Sequence, residues 1–212
     1  MRKFLFAGVA AAAVAVAAPA VISTGPAFAE AQTAAAAQAA PQVRAGDYKI
    51  DKSHAKILWS VSHFGFSTYT GEFTDFDARL TLDPARPERS RLTATIATPS
   101  VATHDDALDT HLRSADFFDV AAHPTSTFVS REVKQTGPRT ALVTGDFTLR
   151  GVTRPLTLDV VFNAAGDNMA GIYTAGFSAT GTIRRSEFGM TNGVPAVGDE
   201  IELRISGEFN PA

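Results

Sequence analysis

The nine residues HLRSADFFD at positions 111–119, followed by His123-Pro124, decide the fold of this chain. They place a histidine, an arginine and two adjacent aromatics in a short segment without strand alternation, between two long regions that have it. Such a segment is typical of a plug or lid on a container built from a sheet. It does not resemble the helix that connects two parallel strands. The flanking regions therefore have to form the container.

Alternating apolar and polar residues predict strands on both sides of this segment. The alternation runs through positions 55–61, 76–82, 91–97, 143–149, 156–162, 173–183 and 201–209. Strict alternation indicates antiparallel strands with one buried face. Because no second helical layer is available to cover a flat sheet, the strands are expected to close on themselves. The predicted fold is an all-β, antiparallel, up-and-down barrel of about eight strands.

One stretch, at about 103–113, is predicted to be helical. Thr103 is expected to cap it, with Asp106 at the capping-box position and Arg113 in the last turn. Ala107, Leu108, His111 and Leu112 share one face. This helix and the Phe117-Phe118 pair are expected to cover the mouth or flank of the barrel.

The first residues are predicted to be a signal peptide and not part of the fold. Arg2 and Lys3 precede the apolar run 4–18, and Ala27-Phe28-Ala29 supplies small residues for cleavage after position 29. The run is shorter than the roughly 20 residues that span a bilayer, so no stable membrane insertion is expected after cleavage. Residues 30–46 are predicted to be a disordered, Ala-rich tether, and 47–212 the folded domain. The predicted location is the periplasm.

Composition excludes several classes of function. The chain has no cysteine, which removes thiol catalysis, disulfides and cysteine-based zinc sites. Its formal net charge is −3, and without Arg2 and Lys3 it has 17 basic against 22 acidic residues. A net acidic protein without a basic cluster is a poor ligand for nucleic acid or anionic lipid. A homodimer is compatible with the sequence.

The aromatic residues raise the question of whether the barrel is filled or hollow. Fifteen Phe accompany one Trp and three Tyr, which gives a large apolar wall with few hydrogen-bonding groups. Alternating large and small inward residues either fill a tapered core or line an elongated cavity, and the sequence leaves both open. The residues predicted to line the cavity are Trp59, Val61, Phe73, Phe76, Leu108, Leu112, Phe117, Phe118, Phe128, Phe147 and Phe177.

No catalytic or metal site is predicted. None of the five histidines forms an i, i+4 pair, and no G-x-S-x-G motif is present. The acidic residues of 105–119 are interpreted as helix caps and a solvated face. No enzyme activity and no cofactor are therefore predicted. Two alternatives stay open: an enzyme that uses His111, Arg113 and Asp116 at the barrel mouth, and a structural or stress-response module without a ligand.

Five motifs in order carry a resemblance to a known family. They are HFGFS (63–67) followed by GEFTDF (71–76), the HLRS-x-DFF segment, His123-Pro124 before Phe128, GDFTLRGVT (145–153) with Pro155, and RSEFG (185–189). In this order and spacing the chain resembles the YceI-like, polyisoprenoid-binding family from about Tyr48 to Phe209. One departure is Leu108-Asp109, where the compared members have an Arg-Asp pair.

The resemblance implies a lipocalin-like barrel with an elongated apolar pocket. Its expected ligand is a long isoprenoid lipid, such as a polyprenyl phosphate or an isoprenoid quinone, which the protein would sequester or carry. A polar head group is expected near His63, His111 and Arg113.

Overall fold

The computed structural model describes residues 43–212, so the predicted signal peptide and positions 30–42 of the predicted tether lie outside the described residues. The strands are β1 (Gly46–Ile50), β2 (Lys56–His63), β3 (Ser67–Phe73), β4 (Phe76–Leu82), β5 (Arg91–Ala97), β6 (Val101–Ala102), β7 (Thr125–Gly137), β8 (Thr140–Leu149), β9 (Val152–Asp167), β10 (Tyr173–Arg184) and β11 (Val197–Pro211). One α-helix, α1, spans Asp106–Arg113, and 3-10 turns span Lys52–His54, Pro87–Arg89, Thr98–Ser100 and Arg185–Phe188.

Eight of the strands close into a barrel in the order β1-β4-β5-β7-β8-β9-β10-β11. The ring closes because β1 pairs with β4 on one edge and with β11 on the other. Every pairing in the ring is antiparallel. Closure removes the exposed strand edges that an open sheet of this size would present. The predicted all-β barrel of about eight strands is confirmed.

A branch of three strands extends the barrel wall at one end. β2 pairs with β11 from Ser206↔Lys56 to Val197↔His63, and β1 pairs with the last residues of the same strand. β3 then pairs with β2, and the two-residue β6 pairs with β3. In the described part of the chain β6 has no further strand partner.

The helix and the segment after it bridge from β6 to the β8–β9 turn. Arg113 at the end of α1 donates hydrogen bonds to the carbonyls of Pro99 and Val101, beside and within β6. On the other side, the Arg150 guanidinium donates to the carbonyl of Phe117. We call residues 106–124, which comprise α1 and this following segment, the plug.

The helix predicted at about 103–113 is present, but its predicted cap is wrong. α1 begins at Asp106, and the Asp105 carboxylate accepts hydrogen bonds from the first-turn amides at 3.0 Å. Thr103 is unavailable as a cap because its amide and hydroxyl both donate to the buried Asp109 carboxylate at 2.7 Å. His104 then takes a positive φ of 65°, which separates Thr103 from the helix.

Candidate ligand-binding cavity

The barrel encloses a cavity of about 820 Å³. At the end that holds the plug, its lining includes the exposed residues His63, His111, Asn192 and Gly193, which we call the plug mouth. At the opposite end, exposed Pro84, Arg91, Pro138 and Arg139 line what we call the far mouth. Because exposed residues line this cavity at both ends of the barrel, we call it the tunnel.

The wall of the tunnel is formed by inward-facing apolar residues of the strands and by apolar residues of the plug. The eleven residues predicted to line a cavity are all in it: Trp59, Val61, Phe73, Phe76, Leu108, Leu112, Phe117, Phe118, Phe128, Phe147 and Phe177. The structure therefore brings them together on one surface, and their contact with a ligand remains a prediction.

Side-chain exposure shows that the interior is hollow. Ile57, Leu80, Leu92 and Leu203 point inward and line the tunnel, yet each keeps intermediate solvent exposure. A close-packed interior would leave such side chains without access. Of the small residues that the alternation places inward, Ala78 and Ala179 line the tunnel. Ala175 is fully buried, in a cluster with Tyr48, Ala78, Tyr173 and Phe209, and does not line the tunnel itself.

The two adjacent aromatics of the plug both pack against the buried cluster of Trp59, Val61, Val101 and Leu112, but they differ in their ring partners. The Phe118 ring packs edge-on against Phe73, with 5.4 Å between centroids, and joins a buried cluster with Leu149 and Phe188. The Phe117 ring packs edge-on against His111 at 5.0 Å. Both rings line the tunnel. Phe118 therefore anchors the plug to the barrel, while Phe117 lies next to an exposed residue of the plug mouth.

Of the three residues predicted near a head group, the structure places two at the tunnel. His63 and His111 lie at the plug mouth, but Arg113 is not part of the tunnel lining. Its Nε donates to the Pro99 carbonyl and its Nη2 to the Val101 carbonyl, both at 2.8 Å. The guanidinium takes this position because the short β6 leaves these carbonyls without a neighbouring strand.

A buried cation that the sequence prediction does not include lines the tunnel instead. Arg185 is 3 % exposed and donates four hydrogen bonds to the carbonyls of Met190, Asn192, Val197 and Gly198, at 2.8 to 2.9 Å. Burial lowers its pKa from the usual value. No carboxylate forms an ion pair with it among residues 43–212.

The direct hydrogen-bond partners of Arg185 are therefore carbonyl groups, and the Asp199 carboxylate acts on it only at longer range. The guanidinium lies 5.9 Å from the centre of the Phe117 ring. Its inward direction was visible in the sequence: the alternation that places Phe177, Ala179 and Ile183 inward reaches Arg185 two residues later. The sequence prediction uses the RSEFG motif for the family resemblance alone and does not place its arginine inward.

The residues of the proposed catalytic alternative do not converge. His111 Nε2 lies 3.1 Å from Asp116 Oδ2, and both side chains are about half exposed. Arg113 points away from them toward β6. A separate surface group, Asp51, His54 and Glu208, has its ligand-type atoms within 4.8 Å of one another. It is not part of the tunnel lining.

No helix within residues 43–212 combines the length and apolarity that crossing a bilayer requires.

Comparisons with known proteins agree with this architecture. The family model of the YceI-like domain matches residues 48–209. A UPF0312 protein of Pseudomonas putida strain W619 is 44 % identical over 171 residues, which cover 80 % of this chain and 88 % of the relative. A UPF0312 protein of Ectopseudomonas mendocina is 42 % identical over 169 residues, covering 79 % of this chain and 88 % of the relative.

Three solved structures share the fold. The Campylobacter jejuni YceI protein has a TM-score of 0.64 at 31 % identity, covering 71 % of this chain and 90 % of that protein. BcnA of Burkholderia cenocepacia has a TM-score of 0.68 at 24 % identity, covering 75 % and 98 %. A polyisoprenoid-binding domain of Saccharophagus degradans has a TM-score of 0.58 at 12 % identity, covering 80 % and 100 %. At these identities the last two show the fold alone.

Proposed function

This chain belongs to the YceI-like domain family, and on that premise we propose that it binds one long isoprenoid lipid inside its barrel. The observation that carries the proposal is the 820 Å³ tunnel with an almost entirely apolar wall. A ligand of this kind is also named for the Saccharophagus degradans domain, which has the same fold. The protein would shield the lipid from water and carry it, without changing it.

The volume of the tunnel fits a chain of several isoprenoid units. An apolar protein cavity of about 150 Å³ holds one benzene ring, or six carbon atoms. By that measure the tunnel of about 820 Å³ has room for roughly 30 carbons, which is about six five-carbon units. Because the tunnel reaches the surface at both ends, a longer chain could extend beyond it.

Burial of such a chain supplies enough free energy for stable binding. Each methylene that leaves water contributes about 0.8 kcal/mol, so a five-carbon unit contributes on the order of 3 kcal/mol. Six units therefore exceed the estimated cost of association, about 4–15 kcal/mol. An apolar wall suffices for this affinity, and no catalytic group is needed.

The polar end of the lipid is proposed to lie at the plug mouth. His63 and His111 supply ring nitrogens there, and Arg185 contributes a positive charge that is held by backbone carbonyls and forms no direct ion pair among residues 43–212. These groups fit an oxygen-bearing head group, either the carbonyls of a quinone or a phosphate. The lipid tail would extend past Phe147 and Phe177 toward the far mouth.

The protein is further proposed to act in the periplasm after removal of residues 1–29. Support comes from the positive residues, the apolar run and the small residues before position 30. The intact mass of protein recovered from the periplasmic fraction tests this: the expected chain begins at Glu30. A mass that includes the first 29 residues would contradict it.

Extraction of the purified protein tests the ligand. Protein isolated from its native compartment is extracted with organic solvent, and the extract is analysed by mass spectrometry. We expect one isoprenoid lipid at close to one molecule per chain. A modified lipid together with its precursor would indicate an enzyme, and an extract without apolar lipid would indicate a module without a ligand.

A matched pair of variants ties the lipid to the tunnel. Ala179→Phe adds a ring inside the tunnel, whereas Thr180→Phe adds the same ring on the outer face of the same strand. Only the first variant is expected to lose the lipid. Equal retention by both would place the lipid elsewhere on the protein.

A further inference from the structure

The turn between β2 and β3 presents exposed aromatic rings to solvent. Phe66 is 92 % exposed and Phe64 is 54 % exposed. The Phe64 amide donates to the Ala196 carbonyl at 2.7 Å, which holds this turn against the loop before β11. Pro195 and Ala196 are exposed as well. We call these four residues the aromatic tip.

The fold does not account for the aromatic residue in this turn. The Phe66 amide bonds the His63 carbonyl at 3.0 Å, and the two residues between them have positive φ, 53° for Phe64 and 71° for Gly65. Two-residue hairpin turns of this type favour Asn-Gly, because a residue with a large side chain is strained at positive φ. Phe64 thus occupies a position that the local backbone conformation disfavours, although more than half of the residue is exposed to solvent.

The surroundings of the tip in the sequence are free of charged residues. Positions 60–71 and 188–198 contain no Asp, Glu, Lys or Arg, although such residues make up 19 % of the chain. At that share, about four would be expected in these 23 positions. The tip itself can therefore enter a lipid headgroup layer without the cost of desolvating a charge of its own. The exposed Asp116, beside His111 at the plug mouth, has to stay in water when the tip enters the layer.

The tip lies directly beside the plug mouth. The His63 ring packs edge-on against Phe64, with 4.7 Å between centroids, and His63 lines the tunnel. Val197, which follows the tip in sequence and pairs with His63, lines the tunnel too. A surface that contacts the tip is therefore adjacent to the opening of the tunnel.

We propose that the aromatic tip docks this protein on the surface of a lipid bilayer, with the plug mouth facing the membrane; the inference that lipid is loaded there rests on the proposed function. Phe side chains on proteins that bind a membrane surface bury into the boundary between the headgroups and the acyl chains. A second protein copy is a poorer occupant, because a stable protein interface takes about 20–30 residues a side and the tip has four. Penetration of a headgroup layer needs no complementary surface.

Flotation with vesicles of phosphatidylcholine alone tests the docking. Protein purified after export is mixed with the vesicles and centrifuged through a density gradient. The wild type is expected to float, with little effect of salt, because the tip carries no charge. The double variant Phe64→Asn, Phe66→Ser is expected to lower the partition coefficient roughly tenfold or more. Asn suits positive φ, so the variant should retain the thermal stability of the wild type.

The control is Met169→Ser, which removes a fully exposed apolar side chain from the β9–β10 hairpin, at the end of the barrel opposite the tip. It should float like the wild type. An equal loss in this control, or no flotation of the wild type, would overturn the docking inference. A double variant that still floats would overturn it as well. If that variant also changes from dimer to monomer in analytical ultracentrifugation, the tip binds a second protein copy instead.

The outcome is independent of the proposed function. Flotation uses vesicles without isoprenoid lipid, whereas the ligand is identified by extraction of the purified protein. If the wild type floats and its extract contains no isoprenoid, the proposed function fails and the docking stands. If the extract contains the isoprenoid and the protein does not float, the docking fails alone.

Discussion

The indole of Trp59 packs against the bare backbone of Gly71, its cross-strand partner on β3. A Cβ atom on Gly71 would lie 2.6 Å from Trp59 Cε2, inside any contact that real side chains make. The only large ring on β2 therefore fits into the tunnel wall because its neighbour lacks a side chain. The indole Nε1 is the one buried side-chain nitrogen or oxygen of the described residues without a hydrogen-bond partner.

We expect Gly71→Ala to lower the free energy of unfolding by about 1–3 kcal/mol, the usual cost of forcing an extra group into a packed site. Urea denaturation measures it. Gly166→Ala is the matched control, since a Cβ there would meet nothing within 4 Å. Equal stability of the two variants would contradict the packing described for Trp59.

Phe177→Ser should remove lipid binding while the protein still folds. The ring lines the tunnel and lies 5.5 Å from Phe162 and 6.0 Å from Phe209, between centroids. Because Phe177 is only half-buried, the loss of stability should fall below the 3–5 kcal/mol typical of a packed Phe. Lipid per chain is measured by extraction, with outward-facing Val161→Ser as the control. Normal lipid content in folded Phe177→Ser would count against the tunnel as the binding site.

Substitution of Phe117 and of Phe118 by Ala should have different effects on lipid release and on melting temperature. Phe117→Ala is expected to speed lipid release without a matching fall in melting temperature, because Phe117 borders the plug mouth beside His111. Phe118→Ala should lower the melting temperature, since its ring packs on Phe73 and in the cluster with Phe188. Release rates are followed by transfer of lipid to excess vesicles. If neither variant speeds release, the plug does not act as a lid.

Arg113→Met should affect stability and leave lipid content unchanged. It removes two hydrogen bonds from a charged donor to the carbonyls of Pro99 and Val101. At partial exposure their loss should cost about 1–3 kcal/mol in the free energy of unfolding. The control is Arg154→Met, at an exposed position of β9. Loss of lipid at unchanged stability would restore a head-group role for Arg113.

The surface pair of Asp51 and His54 should show linked titration. A hydrogen bond from Ser53, followed by one from His54, lowers the pKa of Asp51 to about 2. The hydrogen bond to Asp51 raises the pKa of His54 above its usual 6.5. The stabilisation by protonated His54 is therefore complete below pH 6.5 and is lost as the pH rises through its raised pKa. The stabilisation by ionised Asp51 is present above pH 3.8 and is lost as the pH falls toward about 2.

Asp51→Asn should return the pKa of His54 toward 6.5, as measured by an NMR titration of its ring protons. Asp159→Asn, at an exposed position of β9, serves as the control and should leave the pKa of His54 as in the wild type. A raised pKa that persists in Asp51→Asn would assign the shift to another group, of which Glu208 is the next contributor.

The alternation of side chains was enough to predict the barrel and its wall. In a strand the side chains point alternately to the two faces. The alternation along each strand therefore assigns Trp59, Phe147 and Phe177 to the inner face. That is why the seven predicted wall residues that lie in strands line one tunnel. The other four, Leu108, Leu112, Phe117 and Phe118, belong to the plug and were predicted from its apolar face and its aromatic pair. The same phase extends to Arg185, which the sequence prediction does not include among the inward residues although the alternation reaches it.

Whether the barrel is hollow was decided by the tertiary structure alone. The sequence fixes which residues face inward, but the space between them depends on strand number, tilt and register. Arg113 and Thr103 show the same limit at the level of single groups. Their hydrogen-bond partners, the carbonyls beside β6 and the Asp109 carboxylate, are set by where a short strand ends and where a helix begins. Long or polar side chains bind whichever groups the fold leaves unpaired, and only the folded chain determines which those are.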